Sequence, residues 1–165
     1  MELILFRHGK AELISDARDD HDRELTSPGR RKTILAAEGL ANSLLAGRKI
    51  HIWSSPLRRA YETAEILAKT LNPKIKIEIV DAIAEGDWDE LVRRWSQLKE
   101  IDVLIVVGHE PTLSHWSHML CGTTIPFHPA SAACLEITEN TPDRSALLWF
   151  MRAGSMARLS HGKND

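Results

Sequence analysis

"ELILFRHGKA", residues 2–11, sets an aliphatic run directly against an arginine, a histidine and a glycine. Residues 2–6 are short, aliphatic and free of polar alternation, the pattern of a strand covered on both faces. The same device recurs in "VLIVVGHEP" (103–111), where a strand over 103–107 runs into Gly108-His109. A third strand, "IHIW" (50–53), leads into "SSPLRRAYETAEILAKTL" (54–71), where a serine N-cap and Pro56 near the first turn mark the start of a helix. Three strands therefore end in polar residues.

Outward from these strands, residues 29–45 and 87–99 repeat apolar positions at three- and four-residue spacing, as helices packing on a sheet do. Alternating strands and helices predict a three-layer α/β sandwich: a mostly parallel central sheet, helices on both faces, and ligands at the carboxyl ends of the strands. "AACLEIT" (132–138) and "SALLWFM" (145–151), joined by "ENTPDR", predict an antiparallel hairpin at the sheet edge late in the chain, and the tail "SHGKND" is expected to fray.

The 165 residues are read as one domain, 1–165, with 43% apolar and 27% charged residues. A net charge of −2 excludes the broad basic excess of a nucleic-acid binder, so any anion recognition is local. Cys121 and Cys134 are too few for a disulfide framework. The first ten residues resemble neither a signal peptide nor a membrane span, and a cytoplasmic, monomeric protein is expected.

Arg58 and Arg59 fall in the first turn of a helix, where the macrodipole disfavours a cation by roughly 0.3–1 kcal/mol. A negative group should offset them, and backbone donors with a guanidinium fork suit a phosphate. In an α/β sheet, Arg7, His8, one arginine of the 58–59 pair and His109 would meet at one edge. A neutral imidazole there can attack phosphorus, and a protonated one can stabilise phosphoryl oxygens. Two arginines and a second histidine supply the charge that phosphoryl transfer needs without a metal.

Other motifs are weaker. His115, His118 and Cys121 stand at i, i+3, i+6 on a helix, a spacing zinc could use, but the stretch is not H-E-x-x-H, and packing or solvent exposure accounts for these residues. "DARDDHD" (16–22) lacks the glycine and terminal glutamate of an EF-hand and reads as a solvated, mobile loop. No P-loop occurs. The five tryptophans read as packing residues, Trp88 and Trp95 on one helical stripe.

"RHG" after the first strand, "SSPLRRAYETA", and "VVGHEP" after a later buried strand, in that order, resemble the histidine phosphatase superfamily, the phosphoglycerate mutase-like fold, over about residues 1–120. Chain length and "DRELTSPGRRKT" are similar to the small SixA-type phosphohistidine phosphatases of bacteria. The resemblance implies that His8 is the nucleophile, that Arg7, Arg59 (chosen over Arg58 because it precedes Ala60) and His109 bind the phosphoryl group, and that Arg23 reaches the same pocket. Many members place an acid in the stretch matching "DAIAEGDWDE", where Glu85 or Asp87 could serve, although Asp87 also suits a helix N-cap. It implies no metal and no cofactor. A phosphorylated protein, such as a histidine phosphotransfer domain, is the expected partner. Two alternatives stand beside that reading: a small-molecule phosphomonoesterase and a non-catalytic phosphate-recognition module.

Overall fold

Strands without polar alternation need an apolar layer on each side, and the chain supplies both. The computed structural model describes residues 1–14, 19–138 and 144–160. Strands β1 (Glu2–Arg7), β2 (Ile50–Ser54), β3 (Ile77–Ile79), β4 (Val103–Gly108), β5 (Ala132–Glu136) and β6 (Ala146–Met151) form a sheet in the order β3-β2-β4-β1-β5-β6. The pairs β3–β2, β2–β4 and β4–β1 are parallel, and β1–β5 and β5–β6 are antiparallel. The helices are α1 (Ser27–Ser43), α2 (Arg58–Leu71), α3 (Asp81–Glu85), α4 (Trp88–Trp95), α5 (Thr112–Cys121) and α6 (Ala153–Leu159).

Successive strand residues feed opposite cores. Ile4, Phe6, Val103, Ile105 and Val107 pack with Ala36, Leu40, Ala64 and Met156 of α1, α2 and α6. Leu3, Leu5, Leu104 and Val106 pack with Ile83, Leu91, Leu113 and Trp116 of α3, α4 and α5. Each fully buried large aliphatic side chain contributes roughly 1.5–3 kcal/mol, and both faces draw on it. Trp95 is buried in the second layer and meets Trp88 edge-on at 5.4 Å between ring centroids, so this stripe is core. This is the three-layer α/β sandwich the sequence predicts, with its antiparallel hairpin at one edge.

The local signals divide. Thr26 caps α1 by accepting from Gly29 N at 3.1 Å, and Asp87 caps α4 by accepting from Glu90 N at 3.0 Å. The serine cap expected for α2 is absent: Leu57 occupies the N-cap with no side-chain bond, and the buried Ser55 is used elsewhere. Neither β3 nor α6 is predicted from the sequence. Residues 139–143 of the "ENTPDR" turn and residues 161–165 of the tail lie outside the described residues.

α1 and α6 approach so closely that a Cβ on Gly39 would stand 1.8 Å from the Met156 carbonyl oxygen. Because the obstacle is backbone, it cannot rotate away. Gly39→Ala is expected to lose about 1–3 kcal/mol by overpacking despite the better helix propensity of alanine. At about 2–4 °C per kcal/mol for a chain of this size, thermal unfolding should fall by several degrees; an unchanged midpoint would contradict the close approach.

Candidate active site

The site is assembled by strand register. Arg7 stands opposite Gly108 across the parallel β1–β4 pair, and His8 N donates to Gly108 O at 3.1 Å, so His8 and His109 leave neighbouring strands side by side. Their rings lie 5.4 Å apart between centroids. On the other side of β4, Ser54 pairs with Val107 and Ser55 N donates to Val107 O at 3.1 Å. The Ser55 hydroxyl then lies 2.7 Å from His109 Nε2.

The tautomer of His8 follows from its neighbours. Nδ1 lies 2.7 Å from the Gly9 carbonyl oxygen, which can only accept, so Nδ1 carries the proton and Nε2 the lone pair. Arg59 Nε donates toward that lone pair at 3.3 Å. Burial above all, with the charges of Arg59 and Arg7 adding to it, pushes the His8 pKa down to about 3, and the Gly9 carbonyl opposes the shift. His109 is held down to about 4 by burial first and then by Arg59, with Asp20 opposing. Both imidazoles are therefore neutral at physiological pH. Gly9 is fixed by Thr63, whose Oγ1 accepts its N–H at 3.0 Å, and a Cβ there would stand 2.4 Å from Thr33 Oγ1.

Three of the four flanking arginines converge and one does not. Arg7 Nη1 donates to Phe127 O at 2.6 Å, and its buried Nε has no hydrogen-bond partner among the described residues. Arg59, only 5% exposed, turns inward to His8. Arg58 turns outward to Glu24 at 2.9 Å and Glu62 at 3.5 Å. Arg23 reaches Arg59 through a shared carboxylate: Arg23 Nε donates to Asp20 Oδ1 at 2.9 Å, while Arg59 Nη2 donates to Asp20 Oδ2 at 3.1 Å and Nη1 to Asp20 O at 2.7 Å. The described part of "DARDDHD", residues 19–22, is thus no free solvated loop. It forms a short 3-10 turn that delivers an anion to the site.

Glu85 ends α3 as an exposed residue just beyond β3, at the carboxyl edge of the sheet, and bonds none of these side chains. Asp87 serves as the α4 cap. Sequence reading missed Asp20, Ser55, Thr63 and also Glu110. The Glu110 charge acts on Arg7; its Oε2 accepts from Ser114 Oγ at 2.6 Å, while its Oε1 is buried without a partner. Only Glu110 carried a usable signal, its place beside His109. Of the α5 residues weighed for zinc, His118 Nδ1 meets Thr124 Oγ1 at 3.5 Å and Cys121 Sγ meets Ser117 O at 3.2 Å. Among the described residues no cluster of three or more His, Cys, Asp or Glu is placed to hold a metal ion.

Two outcomes follow from these charges. A tetrahedral oxyanion must compete with Asp20 for the same guanidiniums, so Asp20→Asn should bind orthovanadate about 3–10-fold more tightly; weaker binding would make Asp20 an organiser of Arg59 instead. Both histidines have folded pKa values below the unfolded value of about 6.5, so the unfolded state takes up protons first as pH falls. Their stabilising contribution is complete above pH ~6.5 and is lost as pH falls through about 4 for His109 and about 3 for His8, at up to ~1.4 kcal/mol per pH unit for each histidine. Thermal melts should show a flatter pH dependence over that window in a His8→Asn/His109→Asn variant; an equal slope would refute the buried neutral pair.

Residues 3–120 match the family model of the histidine phosphatase superfamily (branch 1). An uncharacterised protein from Picosynechococcus is 35% identical over 123 residues, 73% of each chain. The solved structure of the protein histidine phosphatase SixA with tungstate superimposes with a TM-score of 0.83 at 23% identity, covering 94% of this chain and 99% of that one. The alpha-ribazole phosphatase of Shigella flexneri superimposes with a TM-score of 0.68 at 17% identity, covering 93% and 97%. With three strands ending in Arg7-His8, Ser55 and His109 around a shared site, and with most of its length matched, the chain belongs to the histidine phosphatase superfamily, branch 1.

Proposed function

We propose that the chain is a metal-independent phosphatase that forms a phosphohistidine on His8 Nε2 and acts on phosphohistidine in a protein. The observation that carries the reading is the His8 tautomer. A module that only bound phosphate would gain nothing from a neutral acceptor nitrogen among its cations, because a lone pair repels phosphoryl oxygens. A nucleophile requires that lone pair. The same argument weighs against the non-catalytic alternative.

In the first step the Nε2 lone pair forms a bond to phosphorus as the bond to the leaving nitrogen breaks. That nitrogen departs as neutral imidazole when its ring is already protonated at the other position, so little proton donation is demanded at the transition state. Arg7, Arg59 and His109 neutralise the equatorial oxygens. His109 keeps Nδ1 without a protein partner, and an arriving dianion favours its protonated, donating form. Water then attacks phosphorus, the P–N bond breaks, and its electron pair returns to Nε2. The likeness of fold to a protein histidine phosphatase supports this reading. So does the exposure of Leu13 and Ile14 on the segment ahead of Asp20, apolar surface of the kind a protein would cover.

A phosphomonoesterase is the second reading, because Glu85 stands at the strand ends, where an alkoxide leaving group would need its proton. Turnover of a histidine-phosphorylated protein should exceed that of a panel of phosphate monoesters; the reverse ratio, with loss in Glu85→Gln, would favour the ester. Trapping should yield an acid-labile, base-stable phosphoenzyme that vanishes in His8→Ala. Arg59→Ala should lose about 10²–10³ in kcat against a few-fold for Arg58→Ala, and chelators should leave the rate unchanged.

A further inference from the structure

A cavity of about 580 Å³ opens at the same edge of the sheet as the catalytic residues, on the α1–α6 side. Its floor and walls are apolar or lack side chains: Pro28, Gly29, Leu35, Pro129, Ala130 and Ala153. Its rim carries Lys10, Lys32 and Arg152, and among the described residues no carboxylate lines it. Elsewhere Arg23, Arg30, Arg48, Arg58, Arg59, Arg93 and Arg94 each pair with a carboxylate. Among the described residues Lys10, Lys32 and Arg152 have no such partner, and Arg152 Nη2 instead donates to His128 Nε2 at 2.8 Å. In a protein of net charge −2, three such cations share this one groove. Lys32 also lies near the start of α1, whose first turn carries no acid, so the helix dipole adds to the same sign.

The groove is tied to the catalytic segment. Lys10 is two residues beyond His8, and the groove-lining Ala130 donates its N–H to the carbonyls of both Arg7 and His8, at 3.1 and 3.0 Å. A substrate seated on His8 therefore has this surface beside it. We propose that the groove docks an acidic, partly apolar segment of the phosphorylated protein substrate: carboxylates meet Lys10, Lys32 and Arg152, and one or two aliphatic side chains enter the floor. The assignment rests on the protein phosphohistidine reading above. A protein segment fits better than a nucleic acid because the lining offers no aromatic side chain apart from His128 on which bases could stack.

The test uses the whole enzyme and two synthetic phosphohistidine peptides of equal length. One is flanked by Asp, Glu and Leu, the other by Ser and Gly, with phosphoramidate as a flank-free substrate. At low salt kcat/KM should favour the acidic peptide by about tenfold, and the preference should vanish in Lys32→Glu/Arg152→Glu and at high ionic strength. Turnover of phosphoramidate should be unchanged in that variant, which shows that it is folded, and Lys32→Arg/Arg152→Lys should retain the preference. Equal turnover of the two peptides, or a preference that survives charge reversal, would overturn the groove and leave the catalytic reading standing. Fluorescence anisotropy of the unphosphorylated acidic peptide separates the reverse case: salt-sensitive binding without turnover of either phosphopeptide supports the groove and sinks the phosphohistidine reading. Tighter binding to phosphatidylserine vesicles or a single-stranded oligonucleotide than to the peptide would overturn the choice of a protein partner.

Discussion

The parallel register of β1 against β4 is the constraint on which the site depends. With Arg7 opposite Gly108, the next residue on each strand is a histidine, and the two imidazoles emerge together. β2 joins in a register that sets Ser55 beside His109. A slip of one residue would exchange the two faces of β1, moving Ile4 and Phe6 into the layer now holding Leu3 and Leu5, and would separate the histidines at the same stroke. The cores on either side therefore hold the pairing of the two histidines as well as the fold, since every buried aliphatic side chain on β1 and β4 opposes that slip.

Charge at this edge is arranged by trapping cations and leaving the imidazoles neutral. Desolvation lowers the pKa of His8, and Arg59 and Arg7 reinforce it, so the Nε2 lone pair persists amid positive charge. Burying guanidiniums requires compensation, and here it comes from backbone carbonyls and one carboxylate. Phe127 O holds Arg7, and Asp20 with its own carbonyl holds Arg59. Asp20 fills the role of an internal anion, satisfying Arg59 and Arg23 together.

The main strands were legible because burial on both faces leaves an uninterrupted aliphatic run, and the polar residues that follow each run stand out against it. Arg7, His8 and His109 could be placed on that basis alone, but the choice of Arg59 over Arg58 came from resemblance, since both occupy the first helical turn. β3 was missed because it is three residues long and lies at an incompletely buried edge, and α6 because seven residues show too little periodicity. One serine of the 54–55 pair was read as a helix cap, whereas the Ser55 hydroxyl serves His109, a partner 54 positions away. Asp20 looked like part of a solvated acidic run because its partner, Arg59, is 39 positions distant. Local sequence carries propensity and pattern; contacts between remote segments and bonds to backbone carbonyls leave no local trace.

The family match ends at residue 120, yet Arg7 is anchored by Phe127, and the Arg7 and His8 carbonyls are bonded by Ala130. The stretch from Pro126 to Ser131 is thus a hidden adjuster of the pocket, built from main-chain atoms and lying outside the diagnostic motifs. Altering its path would re-aim a guanidinium while every signature residue stayed in place. Proteins of this lineage with identical motifs are accordingly free to differ in where this guanidinium points, and comparing motifs alone overlooks the difference.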